Sequence, residues 1–175
     1  DKQNTGTKIK INSQTLFKLI TKTKFAISNE ETRYFLNGLY FNLHNDNNNT
    51  ILTLVGTDGH RLAKFSHQIE QKVDQVSGVI IPKKTIYELS KLLSDIDQTI
   101  NITISSNKII FYIDQLVFIS KLIDGTFPDY KRVIPTDNKN VLKVDRNKLL
   151  SAVDRVSTIA NEKSPVVKIK LLKNI

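Results

Sequence analysis

The sequence predicts an α+β fold made of repeated βαβββ units, with two helices packed against antiparallel sheets. Three observations carry this reading. Segments of alternating polarity run in the order strand, helix, several strands, then strand, helix, several strands again. Asp58-Gly59 sits between two such segments and is the strongest hairpin signal in the chain. Near Asn140 a further strand, helix and strand pattern begins that repeats the opening one. A length of 175 residues accommodates one domain, or one domain plus part of another. With 39% hydrophobic and 25% charged residues, a folded chain with an ordinary core is expected.

In chain order, residues 8–13 alternate. Ile9 and Ile11 lie on one face, Lys8, Lys10 and Asn12 on the other, as in a half-buried strand. Ser13 suits the cap of a following helix. Leu16, Leu19, Ile20 and Ile27 form its apolar stripe, with Phe17 beside it. Lys18 and Lys22 are four apart on the polar side, where like charges repel by a few tenths of a kcal/mol. That pair reads either as a solvated face or as a face held ready for an anion. A loop at 28–33 leads to strand-like runs at 35–43, 50–55 and 60–66, with a polar turn at 46–49. Val79-Ile80-Ile81 is a short buried strand, and Pro82 belongs in the first turn of the second helix. Ile86, Leu89, Leu92 and Leu93 are that helix's apolar face, which ends near Asp95. Runs at 99–105, 108–113 and 116–122 read as three more strands.

The later repeat is recognisable by residue. Leu142-Lys143-Val144-Asp145-Arg146 resembles Ile9-Lys10-Ile11-Asn12-Ser13, and at the same offset Leu149, Leu150 and Val153 fall on Leu16, Phe17 and Ile20. Residues 166–172 read as its next strand, and the Pro/Thr/Asp/Asn stretch at 134–139 as the linker. The absence of any methionine suggests a processed or excised piece of a longer chain.

Twenty-six basic residues against 17 acidic ones give a net charge of +9. Such a charge reads either as a merely solvated cationic surface or as attraction to polyanions, chiefly nucleic acid, because binding releases condensed counterions. With no cysteine, disulfides, thiolate metal sites and cysteine nucleophiles are excluded. The apolar runs, such as 51–55, are far too short to span a membrane. Neither a nucleophile elbow nor a P-loop is present. His44, His60 and His67 lack the helical spacing of a zinc site. His60 beside Asp58 reads as a polar residue after a tight turn, rather than as the general base or metal ligand of a hydrolase.

Three segments go further. They are Gly56-Thr57-Asp58-Gly59-His60-Arg61-Leu62-Ala63, then Asp124-Gly125-Thr126-Phe127-Pro128-Asp129-Tyr130-Lys131-Arg132-Val133-Ile134-Pro135, and Arg33-Tyr34-Phe35-Leu36-Asn37-Gly38. Taken in chain order and at their spacing they resemble motifs of the bacterial sliding clamp family, the β subunit of DNA polymerase III. The likeness covers essentially the whole chain. Residues 1–135 resemble the family's middle domain, and 136–175 the truncated N-terminal part of its third domain.

The resemblance implies a DNA-clamp fold and a ring of two chains around duplex DNA, with helices lining the hole and sheets outside. It implies a non-catalytic processivity factor of the polymerase holoenzyme, without cofactor or metal and cytoplasmic. The competing readings are a stand-alone nucleic-acid-binding module that uses the same basic helices, and a metal-dependent hydrolase centred on Asp58 and His60. By family position Lys18, Lys22, Lys83 and Lys84 would face DNA, and the loop with Arg33 and Tyr34 would touch the template. A flexible point charge gives the sequence-independent attraction that a sliding ring requires. Replicative polymerase, clamp loader and repair factors would dock short linear motifs in an outer pocket. This chain's share of that pocket would be Leu36, Thr57, Gly59, His60, Arg61 and Leu62, with Pro128, Arg132 and Val133. The full-length protein would be a homodimer, and this stretch alone a monomer.

Overall fold

The computed structural model describes residues 6–46, 49–73, 76–159 and 166–172. The chain divides into one compact unit ending at Pro128 and a second beginning at Asp129. The division falls ahead of the Pro/Thr/Asp/Asn stretch at 134–139 that reads as the linker.

The first unit opens with β1 (Thr7–Asn12) and α1 (Ser13–Thr21), followed by 3-10 turns at Lys24–Ala26 and Glu31–Leu36. Then come β2 (Gly38–Asp46), β3 (Asn49–Thr57) and β4 (Leu62–Ile69). The pattern repeats with β5 (Val76–Pro82), α2 (Lys83–Leu93), β6 (Thr99–Ile104), β7 (Lys108–Ile113) and β8 (Leu116–Lys121).

The two repeats do not close separate sheets. One sheet has the order β1-β6-β7-β8 and the other β4-β3-β2-β5, all antiparallel. Each therefore takes three strands from one repeat and the leading strand of the other. Thr7 pairs with Ile104 and Asn12 with Thr99, while Gly38 pairs with Pro82. The seams between the sheets differ. On one side Ile123 N–H donates to the Ile80 carbonyl at 2.9 Å. On the other a side chain stands in for backbone. Gln71 Oε1 accepts from Lys10 N–H and its Nε2 donates to the Lys8 carbonyl, both at 3.1 Å.

Alternation places Ile9, Ile11, Ile100, Ile102, Ile109 and Phe111 in one core with Leu39, Phe41, Leu52 and Leu54 of the other sheet. Leu16, Leu19 and Ile20 of α1 and Ile86, Leu89 and Leu93 of α2 complete it. Each fully buried aliphatic side chain contributes roughly 1.5–3 kcal/mol. The helices pack against one another, so their polar faces lie side by side.

Several elements differ from the sequence reading. Asn12, not Ser13, caps α1. Its Oδ1 accepts from Gln14 and Thr15 N–H at 2.9 and 3.1 Å. The Ser13 hydroxyl instead donates to the Ile96 carbonyl and accepts from Gln98 N–H. Ile27 lies beyond α1, after the turn at Lys24–Ala26. Phe35 and Leu36 belong to a 3-10 turn rather than to a strand, because Ser28 N–H bonds the Leu36 carbonyl and closes the loop on itself. His60 and Arg61 lie in the hairpin turn, before β4. The polar turn at 46–49 lies partly outside the described residues.

The second unit contains a 3-10 turn at Tyr130–Val133 and α3 (Arg146–Ser157). Asp145 caps α3 by accepting from Lys148 N–H at 2.8 Å. The offset likeness to α1 thus gives a helix where it predicts one. The flanking segments 142–144 and 166–172 are not strands. Alternating polarity makes a strand only when a neighbour takes up its N–H and C=O groups, and no such neighbour occurs among the described residues of this unit.

Candidate functional site

The β3–β4 turn is built by its own side chains. Asp58 Oδ1 accepts from His60 and Arg61 N–H at 3.0 and 2.9 Å, and Oδ2 pairs with Arg61 Nε at 3.1 Å. Thr57 Oγ1 donates to the Arg61 carbonyl at 2.7 Å and accepts from Gly59 N–H at 3.1 Å. Burial of Asp58 raises its pKa, but the N–H groups of Arg61 and His60 and the Arg61 guanidinium outweigh it and hold the carboxyl below the ordinary value. Gly59 has φ +89°, a left-handed conformation that glycine adopts without steric cost. A Cβ on Gly59 would also lie 2.6 Å from Arg33 Nη1.

That contact brings a second motif to the first. Arg33 is clamped by Glu30, with Nε–Oε2 at 2.7 Å and Nη2–Oε1 at 2.6 Å. The hydrogen bond between them raises the Arg33 pKa and lowers that of Glu30. Glu30 therefore holds Arg33 over the turn. Tyr34 is 53% exposed and meets Phe35 edge-on, with centroids 5.8 Å apart. The third motif arrives at the same place, since a Cβ on Gly125 would lie 3.1 Å from Phe35 Cβ and 3.3 Å from Tyr34 Cε2. Phe127 stacks on Tyr40 at 4.8 Å.

Of the proposed pocket residues, Leu36 is buried, Thr57 and Leu62 are partly exposed, and Gly59, His60, Arg61 and Pro128 are exposed. Arg61 also reaches Phe25, its guanidinium carbon 5.8 Å from the ring centroid. Phe25 is 55% exposed, and a lone aromatic near the end of a helical stripe carries no sequence signal for such a role. In the second unit, Arg132 pairs with Asp129 at 2.9 Å and Val133 is exposed.

The helix lysines form a separate group. Lys18, Lys22 and Lys84 are exposed, and Lys18 Nζ lies 5.9 Å from the Phe65 ring centroid. Lys83 is held by Asn29 Oδ1 and lies 5.7 Å from the Tyr87 centroid. Lys24, which sequence reasoning missed, donates to Ser90 Oγ at 2.8 Å and approaches Tyr87 from the α1 side at 5.3 Å. The first turn of α2 holds Lys83 and Lys84, no acidic residue and no side-chain cap. Two cations at the positive end of a helix dipole are unfavourable by a few tenths of a kcal/mol or more, and an incoming anion relieves this.

Among the described residues no cluster of three or more metal-ligating side chains exists, and no helix is long and apolar enough to cross a membrane.

The family model for the DNA polymerase III beta subunit, central domain, matches residues 10–129, most of the chain. The chain belongs to the DNA polymerase III beta subunit family. The model for the C-terminal domain of that subunit matches residues 131–175. A beta sliding clamp of Caulobacter vibrioides is 45% identical over 164 residues, covering 94% of this chain and 44% of its own length. A sliding clamp structure from Bartonella birtlesii, bound to griselimycin, is 48% identical with a TM-score of 0.83, over 91% of this chain and 43% of that one. A Caulobacter crescentus beta sliding clamp, with polyethylene glycol bound to a putative beta-motif tethering region, is 43% identical with a TM-score of 0.86. That match covers 94% of this chain and 44% of the clamp. The chain thus spans less than half the length of these relatives.

Proposed function

We propose that this chain is part of a sliding clamp, a non-catalytic processivity factor of DNA replication that encircles duplex DNA and tethers the polymerase. Tethering keeps a dissociated partner at high effective concentration near its primer end. The observation that carries the reading is the pairing of α1 and α2, whose exposed lysines Lys18, Lys22 and Lys84 lie with Lys83 on the polar side of a unit matched by the central domain model. On this reading residues 1–135 are the middle domain and 136–175 open a third, within a homodimeric ring in the cytoplasm. Convergence of the three motifs around Gly59, Arg33 and Gly125 supports a client groove. Leu36, Leu62 and Pro128 are its apolar walls, and Thr57, His60 and Arg61 its polar rim. Arg33 and Tyr34 touch the template DNA, and Arg33 also lies against the turn at Gly59. Clamp loader and repair factors are the other clients.

Duplex DNA binding tests the helix assignment. Affinity is weak and falls steeply with salt. Each lysine that neutralises a phosphate contributes about one unit to the slope of log K against log salt. Replacing Lys18, Lys22, Lys83 and Lys84 by alanine flattens that slope, and an unchanged slope removes these helices from the interface. A short peptide ending in Leu-Phe shifts amides of 57–62 in the same chain. Burial of two anchors at roughly 1.5–3 kcal/mol each, less the ordering cost, limits affinity to millimolar or high micromolar.

A further inference from the structure

Strands β1, β6, β7 and β8 contain four lysines and no acidic residue. The register puts all four on one face, opposite the core. One cross-strand row reads Lys10, Asn101, Tyr112, Val117, and the next Lys8, Thr103, Ile110, Ile119. Lys108 and Lys121 face each other at one end of the same surface. Lys8 and Lys10 are thus about 7 Å apart along the edge strand, and Lys121 lies three strands, about 15 Å, away. Among the described residues none of the four joins an ion pair.

Two features point to a ligand for this face. Like charges directly opposite across a sheet are destabilising, so Lys108 beside Lys121 awaits an anion. Inside the lysine frame the surface is apolar, with Val117 and Ile119 51% and 58% exposed. A cleft of about 370 Å³ with mostly hydrocarbon walls opens beside them, between Lys8, Lys10, Asn101, Thr103 and Tyr112.

We propose that the outer face of this sheet docks an acidic peptide segment with apolar side chains. Its carboxylates pair with Lys8, Lys10, Lys108 and Lys121, one apolar side chain enters the cleft at Tyr112, and another covers Val117 and Ile119. The face suits a peptide better than a nucleic acid. A polynucleotide on a sheet needs aromatic rings for its bases, and Tyr112 is the one aromatic among the strand residues of this face, with aliphatic neighbours in its row and the next. The surface shares no residue with the groove around Gly59 or with the lysines of α1 and α2.

The test is an NMR titration of the whole chain with the peptide Asp-Glu-Phe-Asp-Glu-Leu-Asp-Glu, alongside a ten-residue oligothymidylate. Expected are shifts of amides in β1, β6, β7 and β8 with the peptide, fading as salt rises and the Debye length shrinks. Changing Lys8, Lys10, Lys108 and Lys121 together to glutamine weakens peptide binding about tenfold, since an exposed ion pair contributes a factor of about two. Ile119→Ser weakens it at unchanged charge, and circular dichroism verifies that both variants are folded. The proposal is overturned if the glutamine variant binds equally well or if the shifts fall on α1 and α2. It is also overturned if the oligothymidylate binds this face more tightly than the peptide.

Discussion

At Asp58 one carboxylate organises four consecutive residues, taking two N–H groups on one oxygen and the Arg61 guanidinium on the other. Because its folded pKa lies below the ordinary value, the unfolded chain takes up a proton first as pH falls. The stabilisation is therefore complete above the unfolded value, about 3.9, and disappears as pH drops through the lower folded value. An NMR titration of the Asp58 carboxyl carbon should give a midpoint below that of a free aspartate. Asp58→Asn keeps an acceptor for both N–H groups and should remove this part of the acid sensitivity. Gly59→Ala meets both the positive φ and the Arg33 guanidinium. The left-handed conformation alone costs about 1–2 kcal/mol, so chemical denaturation should show a loss of at least that size, with local shifts at Glu30 and Arg33.

Among the elements, α1 shows what sequence carries and what it does not. Its apolar spacing places Leu16, Leu19 and Ile20 in the core, but its cap depends on which hydroxyl or amide the fold has free. Ser13 is a good cap by type, yet its oxygen is taken by Ile96 and Gln98, more than eighty positions away. Asn12→Ala should therefore cost about 1 kcal/mol, measured as a lowered denaturation midpoint at unchanged slope. Strands β1 and β6 are legible because alternation survives where one face is buried, whereas β7 reads as a strand only from its continuous apolar run. The turn at Glu31–Leu36 was not, since its closure rests on Ser28 and on Glu30 holding Arg33. Residues 142–144 and the stretch 167–171 alternate like β1, and what they lack among the described residues of their unit is a partner. In the candidate groove, the residue types of the three motifs were readable. Their meeting point was not, because Gly125 reaches Tyr34 and Phe35 only through the fold.

For the molecule as a whole, periodicity says nothing of which strand pairs with which, so the exchange of β1 and β5 between the repeats is a finding of the structure alone. It makes the repeats interdependent. Each half alone would keep a three-stranded sheet and leave a strand without neighbours. Residues 6–128 should therefore unfold in one transition, with calorimetric and van't Hoff enthalpies equal. Two resolved transitions within this unit would contradict it. The Thr7–Ile104 pairing also sets a clock. During synthesis β1 leaves the ribosome about 100 residues before its ladder partner among the described residues exists, and at about 5–20 residues per second that interval is on the order of 5–20 s. Through that interval Ile9 and Ile11 lack the ladder that β6 supplies, so their place in the core waits on a strand not yet made.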